Sequence, residues 1–235
     1  PENIYPTSDL TDGFFPSCDL VMVVIPSHAF KQVMGLIAPL ISPNTYLCWA
    51  TKGFEPEHSR ILSEVAIDLL GQRPLSVISG PTFALEVARG LPTAVTVASN
   101  NQDIAQRVAD SLHGDTFRCY TSHDLIGVQV GGAVKNIMAI AAGIADGLGF
   151  GANTRAALIT RGLVEITRLG IQLGGQSETF TGLAGLGDLA LTCTDNQSRN
   201  RRMGLALAAG DSIEQAKQSI GQAVEGVDTC REVWR

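Results

Sequence analysis

The chain has 235 residues, of which 45% are hydrophobic and 17% are charged. This balance is typical of a folded protein and excludes a disordered tail. The formal net charge of −6 at pH 7 argues against a nucleic-acid or membrane-surface partner, because proteins of those classes usually carry a basic face.

Five cysteines lie far apart along the chain, at Cys18, Cys48, Cys119, Cys193 and Cys230. None belongs to a CxxC pair, and the 4 histidines are too few to complete a zinc site. Isolated thiols in odd number favour a reducing compartment. The longest aliphatic run, Leu20 to Ile25, is far shorter than the roughly 18 residues of a membrane-spanning helix. We therefore expect a cytoplasmic protein without a metal site and without membrane insertion.

Short apolar runs alternate with helical patterns over the first half of the chain. Strands are predicted at Asp19–Ile25, Thr45–Ala50, Leu75–Ile78, Thr93–Ala98 and Phe117–Tyr120. Helical patterns lie between them, including residues 59–70 and 103–112. Strands that alternate with helices at this spacing indicate βαβ units and a twisted, largely parallel sheet.

The pattern changes near Ser122. From His123 onward the chain shows no convincing strand, and helical patterns rich in small residues cover 124–145, 153–173, 199–209 and 213–223. The sequence therefore predicts an α/β domain over residues 1–122, followed by an all-α domain over residues 123–235.

A dinucleotide-binding sheet normally opens with a strand, a G-x-G-x-x-G turn and a helix. The chain contains no such match, because the glycines from Gly147 to Gly151 follow a helix and lack the third position. Two interpretations remain open. Either the α/β domain does not bind a dinucleotide, or its first βαβ unit is missing from this chain.

Lys135 is the strongest single indication of chemistry. It lies in a stretch from Gly127 to Ala142 that is otherwise free of charge. On a helix its own face would carry the very small residues Gly131, Gly132 and Ala139, which we expect to leave room for a ligand. Burial would lower the pKa of the lysine toward the range useful for proton transfer. The alternative is a lysine that reaches solvent at a helix–helix contact.

Two short loops follow neighbouring predicted strands. Thr51-Lys52-Gly53 comes directly after the strand that ends at Ala50, and Gly80-Pro81-Thr82 follows the next strand. Ligands in open α/β sheets bind beyond the carboxyl ends of the strands. Either loop alone would be an ordinary turn, but the two together favour a shared cleft.

Two further segments carry polar groups that suit a ligand. Asp188 follows a glycine-rich turn, and it is either a helix N-cap or the carboxylate that holds an active-site lysine. Ser198-Arg199-Asn200 opens a predicted helix, where free N–H groups, the helix dipole and a guanidinium would meet. That combination suits a phosphate monoester, and the alternative is a solvated helix start with exposed arginines.

Six blocks, in order along the chain, closely resemble the bacterial NAD(P)-dependent sn-glycerol-3-phosphate dehydrogenase family. They are Ala50–Gly53, Ile78–Phe83, Gly131–Asn136, Gly185–Asp188, Cys193–Asn200 and Val224–Gly226. The resemblance implies a Rossmann-like α/β domain followed by an all-α domain for substrate binding and dimerisation. It also implies interconversion of dihydroxyacetone phosphate and sn-glycerol 3-phosphate with NADP or NAD as cofactor. The product would serve glycerophospholipid synthesis, and the protein would be a homodimer.

The resemblance assigns roles to individual positions. The implied catalytic residues are Lys135, Lys52 and Asp188. Lys135 matches the catalytic lysine, and Lys52 and Asp188 match residues that line the substrate and orient that lysine. The implied substrate contacts are Lys52, Gly80, Thr82, Lys135, Asn136, Asp188, Ser198, Arg199 and Asn200. The implied cofactor contacts are Lys52, Ala84, Arg199, Ala223 and Glu225.

The family's N-terminal strand, glycine-rich turn and following helix have no counterpart in this chain, so the pyrophosphate and adenosine of the cofactor would lack their main binding site. Two alternatives to the dehydrogenase follow. The first is another oxidoreductase related to 6-phosphogluconate dehydrogenase, against which the run Asn196–Asn200 argues. The second is an inactive fragment that binds a phosphorylated metabolite, against which the retained Lys135, Asp188 and Arg199 argue.

Overall fold

The computed structural model describes residues 2, 4–10 and 15–234. Its strands, in chain order, are β1 (Leu20–Val23), β2 (Tyr46–Trp49), β3 (Phe54–Glu55), β4 (Arg60–Ile61), β5 (Leu75–Ser79), β6 (Thr93–Ser99) and β7 (Phe117–Ser122). Its helices are α1 (Ser27–Ile37), α2 (Leu62–Leu70), α3 (Ala84–Ala88), α4 (Gln102–Leu112), α5 (Leu125–Gly147), α6 (Gly151–Gln172), α7 (Ser177–Phe180), α8 (Asp188–Thr194), α9 (Arg199–Ala208), α10 (Ile213–Ile220) and α11 (Glu225–Trp234).

Five of these strands form one sheet in the order β1-β2-β5-β6-β7, which confirms the predicted Rossmann-like α/β architecture. All neighbouring pairs are parallel except β5 and β6, which run antiparallel. Residues 80–92 connect these two strands and carry only the five-residue helix α3. Parallel strands are usually joined across a sheet face by a longer helix, so this short connection suits an antiparallel pair.

The sheet is covered on both faces. On one face, Phe30 of α1 lies edge-on against Trp49 of β2, with ring centroids 5.6 Å apart, and Val65 of α2 belongs to the same cluster. On the other face, Ile104 and Val108 of α4 pack on the central strands. Burial on both faces explains why β1 and β2 are continuous apolar runs, whereas the edge strand β7 alternates between half-buried and exposed residues at its start.

Helix α5 is the centre of the helical part, and α6, α8, α9 and α11 all pack against it. A Cβ built on Gly143 would lie 3.0 Å from the Cα of Gly204, so glycines permit the close crossing of α5 and α9. By length and hydropathy α5 could cross a membrane, but 78% of its apolar window is buried inside the protein. That burial is typical of a core helix in a helical bundle.

The start of helix α2 differs from the sequence prediction, and the start of helix α5 agrees with it. Helix α2 begins at Leu62 rather than at residue 59, because residues 60–61 pair as β4 with β3. Helix α5 begins where predicted, because Asp124 caps it: its Oδ1 accepts a hydrogen bond of 2.7 Å from the N–H of Gly127. Its Oδ2 accepts another of 2.8 Å from the N–H of Gln176, which ties the start of α7 to α5. The division into two domains at residue 122 stays a prediction.

Candidate active site

A cleft of about 690 Å³ opens beyond the carboxyl ends of β1, β2 and β5. Its other wall consists of α5 and the starts of α9 and α11. The lining residues on the sheet side include Pro26, Thr51, Lys52, Thr82, Phe83, Ala84 and Leu85. Those on the helical side include Lys135, Asn136, Thr192, Gln197, Ser198, Arg199, Asn200, Gln222, Ala223 and Glu225. The two loops that follow neighbouring strands therefore share one cleft.

Lys135 projects from α5 and is only 6% exposed. The space that the sequence predicts for a ligand beside Gly131 and Gly132 is filled by other parts of the protein. A Cβ on Gly131 would lie 2.6 Å from the carbonyl oxygen of Ala184, and a Cβ on Gly132 would lie 2.7 Å from Oγ of Ser79. The glycines let a turn and the sheet approach α5 closely. This close approach buries the lysine, and the ligand space lies on the cleft side of it.

Two lysines share one buried carboxylate. Asp188 is 1% exposed, and its Oδ1 accepts a short hydrogen bond from Nζ of Lys135. Its Oδ2 accepts a hydrogen bond of 2.6 Å from Nζ of Lys52, which also donates to the carbonyl oxygen of Gly80 at 3.3 Å. Lys135 donates further to Oγ1 of Thr192 at 2.9 Å. The arrangement fixes both ammonium groups at the base of the cleft.

Burial and neighbouring charge set the protonation of these groups. Burial lowers the pKa of Lys135 to about 8; Asp188 opposes this shift, and the nearby Lys52 adds to it. Burial alone would raise the pKa of Asp188, but the two lysines hold that pKa below its usual range. The carboxylate therefore stays ionised at neutral pH, whereas Lys135 is able to give up or take up a proton near pH 8.

The start of α9 forms the second half of the site. Oγ of Ser198 caps this helix by accepting a hydrogen bond of 3.1 Å from the N–H of Arg201, and its own O–H donates to none of the described residues. Arg199 lines the cleft and makes no hydrogen bond with any residue that the structure describes. Hydroxyl, guanidinium and the first N–H groups of a ten-residue helix thus converge on the cleft. Such a set of donors binds phosphate groups.

A chain of amides links three helices along the same wall. Nδ2 of Asn200 donates to Oδ1 of Asn136 at 2.9 Å, and Oδ1 of Asn200 accepts from the N–H of Gly226 at 2.9 Å. Nδ2 of Asn136 donates to Oε2 of Glu225 at 3.4 Å. Burial raises the pKa of Glu225, although the charges of Arg199 and the lysines oppose that shift. The amides hold α5, α9 and α11 in register around the cleft.

The structure brings together the residues that the sequence singled out. Most line the cleft directly, while Gly80 and Asp188 lie behind its wall and act on Lys52 and Lys135 by hydrogen bonds. Sequence reasoning missed Thr192 and Gln197 as site residues. Thr192 lies four positions after Asp188, one helical turn along the same face, and that spacing was the available indication. The roles of these residues stay predictions.

A cleft at the carboxyl edge of a Rossmann-like sheet, with a lysine of lowered pKa and a helix start rich in hydrogen-bond donors, is typical of the nucleotide-dependent dehydrogenase class of oxidoreductases. Sequence profiles described as the N-terminus and C-terminus of NAD-dependent glycerol-3-phosphate dehydrogenase match residues 1–105 and 124–235. The chain belongs to the NAD(P)-dependent glycerol-3-phosphate dehydrogenase family, whose members use NAD or NADP.

Individual relatives support the same assignment. The glycerol-3-phosphate dehydrogenase [NAD(P)+] of Idiomarina loihiensis is 55% identical over 99% of this chain and 70% of its own length. That of Nitrosococcus oceani is 58% identical over 99% of this chain and 68% of its own length. The crystal structure of glycerol-3-phosphate dehydrogenase from Coxiella burnetii matches with a TM-score of 0.89 and 54% identity, over 92% of this chain and 66% of that chain. The chain thus spans about two thirds of these relatives.

Proposed function

We propose that Lys135 is the acid–base group of the family's reaction, the interconversion of dihydroxyacetone phosphate and sn-glycerol 3-phosphate. In the reductive direction a hydride adds to C2 while the ammonium of Lys135 gives a proton to the C2 oxygen and becomes neutral. In the oxidative direction the neutral amine takes that proton back. The observation that carries this proposal is the buried ammonium of Lys135, paired with Asp188 at the edge of the cleft.

Lys52 and Asp188 prepare the site for this proton transfer. Asp188 favours the protonated form of Lys135, which predominates near neutral pH, and Thr192 orients Nζ of that lysine by accepting a second hydrogen bond. Two ammonium groups against one carboxylate leave net positive charge when Lys135 is protonated. Fixed positive charge of this kind stabilises the negative charge that develops on the C2 oxygen in the transition state.

Ser198, Arg199 and Asn200 are proposed to bind the phosphate group of the substrate, opposite Thr82. Arg199 supplies a guanidinium that no described residue occupies, and Ser198 supplies a hydroxyl donor at the helix start. Binding the phosphate there would leave C2 free to approach Lys135. Asn136 and Asn200 support this wall through their mutual hydrogen bond.

The residues present fit the nicotinamide end of NAD or NADP. The small side chains of Ala84 and Ala223 flank the cleft, and the carboxyl group of Glu225 and the guanidinium of Arg199 offer a polar acceptor and donor. We propose that these residues, with Lys52, hold the cofactor beside the substrate. When bound, the cofactor supplies or accepts the hydride.

We also propose that the protein is a cytoplasmic homodimer that supplies sn-glycerol 3-phosphate for glycerophospholipid synthesis. The thiols of Cys48, Cys119, Cys193 and Cys230 form no disulfide, which suits a reducing compartment. Exposed apolar side chains in the helical part, Phe150 and Ile171 among them, offer surface that a second copy would cover. Sedimentation equilibrium of the purified protein tests the dimer.

The reaction itself is tested by mixing the protein with dihydroxyacetone phosphate and NADPH, then NADH, and following the loss of reduced cofactor by absorbance. Turnover that requires the ketone phosphate supports the proposed roles. Dihydroxyacetone, which lacks the phosphate, is the matched substrate control. Equal rates with both substrates would contradict the phosphate site at Ser198–Asn200.

A further inference from the structure

One hydrogen bond crosses the mouth of the cleft. Nε2 of Gln197, in the loop before α9, donates to Oε1 of Glu86 on α3 at 2.8 Å. The two residues are 111 positions apart in the sequence, one in the helical part and one in the α/β part. We refer to this pair as the Glu86–Gln197 bridge.

The Gln197 end of the bridge belongs to the segment that leads into the anion-binding helix start. Oδ1 of Asp195 accepts a hydrogen bond of 2.7 Å from the N–H of Gln197, and the carbonyl oxygen of Asp195 accepts one of 3.1 Å from the N–H of Ser198. These bonds fold residues 195–198 into a tight turn. Gln197 immediately precedes Ser198, so its side chain anchors the donors that would hold a phosphate.

The Glu86 end of the bridge belongs to the loop on the opposite wall. Residues 82–85 line the cleft, and α3 carries Glu86 directly after them. The start of this loop is held through the carbonyl oxygen of Gly80, which accepts from Lys52. Among the described residues, no other side-chain hydrogen bond joins residues 81–92 to the helical part. The bridge therefore holds the α3 end of the loop that follows β5 against the helical part by a hydrogen bond.

We propose that Glu86 and Gln197 are positioning residues that hold the two walls of the phosphate-binding end at a fixed separation. With the bridge formed, Ser198, Arg199 and Thr82 face the substrate phosphate without rearrangement. Without it, the loop and the helix start must be ordered when the phosphate binds, and that ordering reduces the affinity. The inference rests on the proposed phosphate site and names two residues that govern it without being its main ligands.

The test measures the affinity of the whole protein for inorganic phosphate by titration calorimetry, because that readout needs no turnover. The variants are Glu86→Ala, Gln197→Ala, the double variant and Glu86→Gln. Gln106→Ala is the matched control, since Nε2 of Gln106 donates to Oδ1 of Asp110 at 2.7 Å within α4, away from the cleft. The same variants are assayed for kcat and KM with dihydroxyacetone phosphate.

Each single alanine variant should raise the Kd for phosphate about 3- to 10-fold, the size of one partly exposed hydrogen bond. The Kd of the double variant should not exceed the higher Kd of the two single variants, because each single substitution already removes the same hydrogen bond. Glu86→Gln keeps an oxygen acceptor for Gln197 and should stay within about 2-fold of wild type. In turnover, KM should rise by a larger factor than kcat falls.

Three results would overturn the proposed role of the bridge. They are an unchanged Kd for phosphate in both alanine variants, increases in Kd that multiply in the double variant, and an equal increase in Kd in Gln106→Ala. Absence of phosphate binding by the wild type would overturn it as well. Failure of the proposed function looks different. A wild type that binds phosphate through the bridge but does not reduce dihydroxyacetone phosphate would refute the reaction and leave the bridge standing.

Discussion

Nζ of Lys52 lies 2.6 Å from Oδ2 of Asp188, and this ion pair joins the loop after β2 to the first turn of α8. The other carboxylate oxygen of Asp188 is bound by Lys135. One buried anion therefore holds two cations from different parts of the fold at a single point. The pairing sets the charge of the cleft and the protonation of the lysine closest to the proposed chemistry.

Removing the proposed acid should abolish most of the turnover. We expect Lys135→Met, which keeps the aliphatic stem, to lower kcat about 10²- to 10⁴-fold, the usual contribution of a positioned acid–base group. Asp188 keeps Lys52 as a partner in this variant, so the melting temperature should change little. Lys31→Met, which alters a half-exposed lysine on α1, is the control and should keep full turnover. Wild-type kcat in Lys135→Met would eliminate the lysine as the acid.

The two directions of the reaction should depend on pH with opposite signs. In the proposed mechanism reduction requires protonated Lys135, so the kcat for reduction should fall as the pH rises through about 8, the pKa to which burial lowers this lysine. Oxidation requires the neutral amine, so its kcat should rise through the same pH. Initial rates in both directions across a pH series would measure the two midpoints. Curves of the same sign would contradict a single acid–base group.

The partners of Lys135 should move that midpoint in opposite directions. Lys52 lowers the pKa of Lys135, so Lys52→Met should shift the midpoint to higher pH. Asp188 raises the pKa, so Asp188→Asn should shift the midpoint to lower pH. The pH dependence of kcat in the reductive direction measures both. Lys52→Met retains the Lys135–Asp188 pair, so it tests the direction of the shift even if Asp188→Asn unfolds. A shift of the midpoint to lower pH in Lys52→Met would show that Lys52 does not lower the pKa of Lys135.

The guanidinium at the start of α9 should act mainly on binding. Arg199→Ala removes the proposed charge-assisted contact with the substrate phosphate, which is worth about 1.5–3 kcal/mol, so KM for dihydroxyacetone phosphate should rise roughly 10- to 150-fold. Arg231→Ala, on the exposed side of α11, is the matched control and should leave KM unchanged. Steady-state kinetics with varied ketone phosphate give both values. An unchanged KM in Arg199→Ala would place the phosphate site elsewhere.

Much of this architecture follows from local pattern. Short apolar runs predict the strands, and each predicted run overlaps one strand of the sheet. The lysine in an uncharged helix and the aspartate after a glycine-rich turn can both be identified from the sequence alone. Local chemistry identified them because a charge among apolar residues needs a partner when it is buried.

Other features depend on contacts that no local pattern encodes. Lys52 and Asp188 are 136 positions apart, so their pairing required the fold. The antiparallel direction of β6 depends on the short connection through α3, because a run of apolar residues carries no direction. Gln197 looks like any polar loop residue in the sequence, and only the opposite wall of the cleft gives its side chain a partner.

Two glycines in helices should respond oppositely to alanine. At Gly204 a Cβ would lie 2.7 Å from the backbone nitrogen of Ile144 and 2.8 Å from the Cα of Gly143, and backbone atoms cannot move aside. Gly204→Ala should therefore force α9 away from α5 and lower the free energy of unfolding by about 1–3 kcal/mol. A Cβ on Gly35 in α1 would have no neighbouring atom within 4 Å, so Gly35→Ala should raise the free energy of unfolding by about 0.5–1 kcal/mol. Urea unfolding of both variants measures the difference, and a Gly204→Ala protein as stable as wild type would show that the α5–α9 crossing is not tightly packed.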